Sequence, residues 1–171
     1  AAQSTSFDGT VTAAGTETIT LSNAADATGV ANVENYVLAA GSQTFTLGAA
    51  AQNVTGDGTG GGGAITIDTS TLTSVTGTFA DGGGDDTVAL TLSADGVDIS
   101  GATTTTVDTI ALANNVGATM TRAQHALINA ATGTNTVTLS DAGTATGNAN
   151  VESYVLAAGS QTFTLGATGQ S

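Results

Sequence analysis

Tyr36-Val37-Leu38-Ala39-Ala40-Gly41-Ser42-Gln43-Thr44-Phe45-Thr46-Leu47-Gly48-Ala49 returns without a change from Tyr154 to Ala167. The match runs further in both directions. Residues 13–53 align with 131–171 at a constant offset of 118, without a gap, and 30 of those 41 positions are identical. Such identity marks a recent duplication within a repetitive array. A fainter copy lies between the two. Val107-Asp108-Thr109-Ile110-Ala111-Leu112-Ala113 resembles Val33-Glu34-Asn35-Tyr36-Val37-Leu38-Ala39. Thr119-Met120-Thr121 then follows as Thr44-Phe45-Thr46 does, with a one-residue gap. The phrase therefore occurs three times, although a Thr/Ala/Gly-rich alphabet offers chance as the alternative for the middle one.

Short alternating runs surround the phrase. Thr18-Ile19-Thr20-Leu21, Ala64-Ile65-Thr66-Ile67, Thr87-Val88-Ala89-Leu90 and Thr136-Val137-Thr138-Leu139 put apolar residues on one face and small or polar ones on the other. Period-two alternation argues half-buried strands, and Gly- or Asn/Asp-rich breaks separate them. The second copy ends after 41 residues, which suits a solenoid built rung by rung better than a sandwich that needs all its strands. The fold expected is all-β: one elongated parallel β-solenoid (β-helix or β-roll) over 1–171, with tandem antiparallel β-sandwiches as the alternative. At about 20–25 residues per rung it makes about seven rungs. Thr119 to Ala131 departs from the pattern and suits a short helix, with Arg122 and His125 on its surface. The repeated aromatics, Tyr36/Tyr154 and Phe45/Phe163, together with Phe7 and Phe79, read as interior packing, the alternative being a sugar-stacking platform.

Composition narrows the function classes. The chain has 35 Thr, 31 Ala and 24 Gly among 171 residues, and no Cys, Pro, Trp or Lys. Arg122 is its single Lys/Arg residue and His125 its single histidine, against 14 acidic residues and a net charge of −13. Nucleic-acid binding through phosphates and adhesion to anionic membranes both need a basic patch, which is missing. No apolar run reaches the length of a membrane span, so no membrane insertion is expected. There is no charged leader with an apolar run behind it. Cleavage, a different export signal or excision from a longer chain would each account for that. Catalysis is not expected either. His125 has no evident partner, one histidine makes no usual zinc site, and no paired carboxylates come with a cleft.

One stretch carries chemistry. Asp81-Gly82-Gly83-Gly84-Asp85-Asp86-Thr87-Val88 fits the nonapeptide G-G-x-G-x-D-x-U-x, with Asp81 in the first Gly slot. There Gly allows the tight turn, Asp offers hard oxygens to Ca²⁺ and the apolar residue enters the roll. Asp81, Asp85 and Asp86 are the candidate calcium ligands. Gly56-Asp57-Gly58-Thr59-Gly60-Gly61-Gly62-Gly63 has the glycines of a second turn but carries Gly63 at the ligand position. Calcium binding and a solvated Asp-Gly turn both remain open.

These turns, the phrase Asn32–Ala39 and the Thr-rich strands resemble the RTX-related giant repetitive proteins that bacteria export by type I secretion: adhesins, surface-layer and extracellular matrix proteins. Only residues 81–88 match a defined motif of that group. The resemblance implies an extracellular or cell-surface location, Ca²⁺ in many members, and adhesion, surface coating or fibre formation. The function expected is thus a structural repeat module of a secreted surface or biofilm-matrix fibre. Its partner is itself, head-to-tail along the solenoid, because an open solenoid end offers unpaired backbone groups and no Lys or Pro blocks it. A polysaccharide- or ice-binding module is the alternative.

Overall fold

The computed structural model describes residues 15–59 and 62–171. Alternation sets the strands: in Thr87–Leu92 the side chains of Val88, Leu90 and Leu92 are buried, and their neighbours point out. Gly, Asn, Ser and Asp turns keep every strand between two and six residues long.

In chain order the strands fall into eight coils. The first holds β1 (Thr18–Thr20) and β2 (Ala27–Thr28), the second β3 (Asn35–Val37) and β4 (Gln43–Thr46). The third holds β5 (Asn53–Thr55) and β6 (Ala64–Asp68), the fourth β7 (Phe79–Ala80) and β8 (Thr87–Leu92), the fifth β9 (Val97–Asp98) and β10 (Thr109–Leu112). The sixth carries β11 (Gly117–Met120), helix α1 (Arg122–His125) and β12 (Ile128–Ala131). The seventh holds β13 (Thr136–Leu139) and β14 (Thr144–Thr146), the eighth β15 (Ser153–Val155) and β16 (Thr162–Thr164). Strands pair between coils, and every pair is parallel. The chain is a parallel β-solenoid of about eight turns, not a stack of antiparallel sandwiches. At about 4.8 Å per step, seven steps make a rod core roughly 34 Å long.

The walls change along the axis. Wall one stacks β1, β3, β5 and β7, wall two the even strands β2 to β12, and wall three β9, β11, β13 and β15; β14 and β16 form a fourth, short pair. Successive coils are 17 residues apart at Ile19↔Tyr36, 25 apart at Val54↔Phe79 and 17 apart again at Val137↔Tyr154. The extra residues of the middle coils build a third side. The bridge Ser74↔Asp98 begins wall three, while Thr78↔Thr103 still continues wall one. The repeated phrase consequently shifts by one wall at each occurrence. Its two strands lie on walls one and two as β3–β4, on two and three as β10–β11, and on three and the fourth pair as β15–β16.

Inside, residues stack in ladders. Phe45, Ile67, Leu90, Ile110 and Ile128 align on wall two; Val97, Ala118, Val137 and Tyr154 align on wall three. Tyr36, Phe45 and Phe79 are fully buried, and the ring pairs Tyr36–Phe45 and Tyr154–Phe163 both lie 4.6 Å apart, so the aromatics pack the interior. Phe7 lies outside the described residues.

Three glutamines staple the coils. Gln52 accepts from the Gly48 and Ala49 N–H groups and donates to Val30 O and Val33 O of the coil below. Gln170 repeats this with Gly166, Ala167, Asn148 O and Val151 O. Gln124 in α1 accepts from Thr121 N and donates to Ile99 O and Ala102 O. Each staple closes buried backbone groups that strand pairing leaves over at a corner. Helix α1 is therefore the middle phrase's version of the corner at 48–52. It spans four residues, against the thirteen expected, because Met120 and Ile128 are taken into the interior ladders of β11 and β12. Expected at the surface, His125 is instead buried, with Nε2 3.1 Å from the Tyr154 hydroxyl.

Candidate functional site

The two Gly-rich turns stack on each other between the third and fourth coils. Their backbones touch: a Cβ on Gly56 would lie 2.3 Å from Asp81 O, and one on Gly82 would lie 2.3 Å from Gly56 O. Only glycine allows that approach. Within the turn the three sequence candidates separate. Asp86 is buried, and its Oδ1 accepts from Gly63 N at 2.7 Å. Asp81 closes its own turn by accepting from Gly83 N at 3.0 Å. Asp85 is exposed. The acid that does lie beside Asp86 is Asp57, whose carboxyl is held below its ordinary value by the Thr59 hydroxyl first, with Asp86 contributing. Among the described residues no group of three His, Cys, Asp or Glu side chains is arranged to hold a metal. Gly63, where the motif calls for Asp, spends its N–H on Asp86 and so ties the two turns together.

Outward threonines form ranks along wall two. One runs Thr28, Thr46, Asp68, Thr91, Ala111 and Ala130; the other runs Thr44, Thr66, Ala89 and Thr109. Asp68 and Ala89 interrupt both ranks on wall two; an unbroken double row, Thr144 with Thr162 and Thr146 with Thr164, is found on the two-strand pair β14–β16 and is only two coils deep.

The face of the eighth coil is the largest chemical anomaly. Leu38 and Leu47 are 1% and 3% exposed, but Leu156 and Leu165, in the identical phrase, are 41% and 56% exposed, and Val155 is 50% exposed. The backbone repeats the contrast. Leu38 N donates to Thr55 O at 2.8 Å and Leu47 N to Asp68 O at 2.9 Å. The amides of Leu156 and Leu165 have no such partner among the described residues. Ser171 already begins the next coil, pairing with both Glu152 O and Tyr154 N as Asn53 pairs above β3. The face carries no Asp, Glu, Lys, Arg or His side chain: Glu152 is the last of these, and Ser153 to Ser171 have none. The sequence predicts that 131–171 offers the pairing surface of 13–53 again at this end, but it singles out none of these apolar residues, since identical sequence does not show which side chains lose their cover.

At the other end, Glu17 N donates to Glu34 Oε2 at 2.9 Å, and Asn135 N donates to Glu152 Oε2 at 2.8 Å in the same way. Where Asn135 is neutral, Glu17 adds a second carboxyl. Desolvation, and then Glu34, push the Glu17 carboxyl above its usual value, while the Glu17 N–H lowers that of Glu34.

No protein-family model matches the chain, and neither the curated proteins nor the solved structures yield a match.

Proposed function

We propose that the chain is a structural repeat module of a secreted bacterial surface or matrix fibre or adhesin, extended by stacking on the face of its eighth coil. One observation carries this reading: a phrase that is covered in the second coil is open in the eighth, with apolar side chains and unpaired amides facing along the axis. A parallel coil added there satisfies those amides and covers Leu156 and Leu165 as β5 and β6 cover Leu38 and Leu47. That coil comes from the same polypeptide or from a second copy, head-to-tail. The remaining surface suits a spacer, with small residues, Thr walls, no thiol and a charge of −13 that keeps rods apart sideways. Salt should promote stacking by screening this charge. Light scattering and electron microscopy across a salt series test it. Rods lengthening in steps of one chain are expected, and Leu156→Asp with Leu165→Asp should stop them. A monodisperse monomer at every salt concentration rejects stacking between copies and leaves only the spacer role.

Calcium at the Gly-rich turn is a second reading, supported by Asp57 beside Asp86 in stacked glycine turns. It predicts that Ca²⁺ raises the melting temperature and that Asp86→Ala removes the increment. An unchanged melting temperature with chelator leaves a solvated turn. The Thr ranks of wall two are interrupted and the double row on β14–β16 is two coils deep, which does not favour an ice-binding role.

A further inference from the structure

We propose that the cleft beside helix α1 binds a carboxylate, carried on a body the size of one sugar ring, through Arg122, His125 and the free edge of β14. The cleft holds about 440 Å³, within the range of small-ligand sites. It lies on the side of the rod between the sixth and seventh coils, below the end face, so it does not depend on stacking.

The equivalent corner of the first copy shows what a closed junction looks like. There the coil above sits directly on the corner: Thr76 N donates to Ala50 O at 2.8 Å, and a Cβ on Gly77 would lie 1.8 Å from Gln52 O. Above α1 that closure is absent. Strand β14 lines the cleft together with the helix but pairs only with β16. Since Thr162 N donates to Gly143 O and Gly147 N to Thr164 O, Ala145 directs its backbone groups to β16. Thr144 and Thr146 therefore turn theirs the other way, towards the helix. Of these, Thr144 O accepts from Arg122 Nη1 at 3.2 Å. The N–H groups of Thr144 and Thr146 have no partner among the described residues.

The chain's single arginine and single histidine both line this space. Arg122 is held in place: its N–H and Nε both donate to Asp141, at 2.7 and 3.1 Å, and its guanidinium lies against Gly143. That arrangement leaves Nη2 uncommitted. His125 is 5% exposed, and its Nδ1 has no partner among the described residues. The Tyr154 hydroxyl accepts from Asn148 N at 2.7 Å, and its alternative acceptor, Asn148 O, is 3.5 Å away. It therefore donates to His125 Nε2, which leaves the ring proton on Nδ1. Burial lowers the His125 pKa from its ordinary value and so favours the neutral ring. The cleft thus offers four donor groups, Arg122 Nη2, the imidazole N–H and the N–H groups of Thr144 and Thr146, beside the carbonyls of the same two threonines. A planar carboxylate uses such a set, with Nη2 available to one oxygen and the imidazole and backbone N–H groups to the other. Asp141 in the same ion pair and the −13 charge of the chain oppose a dianion, so a monocarboxylate is favoured over inorganic phosphate.

Because His125 is the only histidine, its ring signals in a proton–carbon NMR spectrum report on the cleft without assignment. Acetate, glucuronate, glucose and phosphate are titrated separately at constant ionic strength. A saturable shift with glucuronate is expected, and none with glucose or phosphate. Acetate shifting the ring as far as glucuronate assigns a bare carboxylate subsite; glucuronate alone assigns an acidic-sugar site. The shift should be lost in Arg122→Gln. It should also be lost in Ala126→Leu, which fills the cleft at an exposed position and leaves the Arg122–Asp141 pair intact. No saturable shift with either carboxylate, an equal shift with glucose or phosphate, or a shift that survives in both folded variants would overturn the proposal.

Discussion

The second and eighth coils are made of the same residues and live in different surroundings. From Tyr36 to Ala49 the phrase has coils above and below; from Tyr154 to Ala167 it has a coil below only. The internal geometry hardly differs, with the same ring pair at 4.6 Å and the same glutamine staple. What differs is cover, and with it the burial of Leu, Val and the aromatic rings. In this fold a coil's shape is set within the coil and the coil beneath it, whereas much of its apolar burial is supplied by the coil above.

The largest expected effect separates the two copies. Leu38→Ala removes a fully buried side chain and should cost about 2–5 kcal/mol. Leu156→Ala should cost less than about 1 kcal/mol in the monomer, because the side chain is already half in water. Urea midpoints of the two variants give the difference, and equal losses would show that the eighth coil is covered. Glycine substitutions should erase the contrast. A Cβ on Gly48 would stand 1.9 Å from Gly29 O and one on Gly166 1.7 Å from Gly147 O, both in the coil below. Gly48→Ala and Gly166→Ala should each cost about 1–3 kcal/mol. A much cheaper Gly166→Ala would mean that the last coil is not packed on the seventh.

The hydroxyls come next. The Tyr36 hydroxyl accepts from Val30 N at 2.6 Å and that of Tyr154 from Asn148 N at 2.7 Å. Each Tyr→Phe change strands a backbone donor, at about 1–3 kcal/mol. Tyr154→Phe also frees His125 Nε2, so the ring should titrate differently in that variant alone. The smallest effect concerns pH. A carboxyl raised above 4.5, as in Glu17, stabilises the fold below that pH, and its contribution is lost as pH rises through the folded value. Glu34 is lowered from 4.5, so its contribution is present above that pH and lost as pH falls through its folded value. Glu17→Gln imitates the neutral Asn135, and should remove the first dependence while keeping the second. Exchange of the Asn35 amide, which donates to Glu17 O, against pH reads this out.

Much of this was legible in the residues. Alternation predicts the strands, and a second copy of only 41 residues predicts rung-by-rung stacking, since a sandwich would need all its strands. The Gln staple also left a trace: Gln52 and Gln170 agree while 50, 51 and 53 differ from 168, 169 and 171. The shift of the phrase from wall to wall left none. It is set by the lengths of non-alternating segments such as 70–77 and 100–106, where no periodicity shows which face a residue takes. Asp81, Asp85 and Asp86 share a motif, yet the stacking of turns brings Asp57 to Asp86 and turns Asp85 to solvent. His125 was misplaced because the residue that buries it, Tyr154, lies 29 positions away.

Hydrogen exchange at the Leu156 and Leu165 amides, followed as protein concentration rises at moderate salt, tests the stacking account most directly. In dilute solution both should exchange freely while those of Leu38 and Leu47 stay protected. On concentration they should gain protection, with Leu38 and Leu47 unchanged. Free exchange of Leu156 and Leu165 at every concentration would contradict the account.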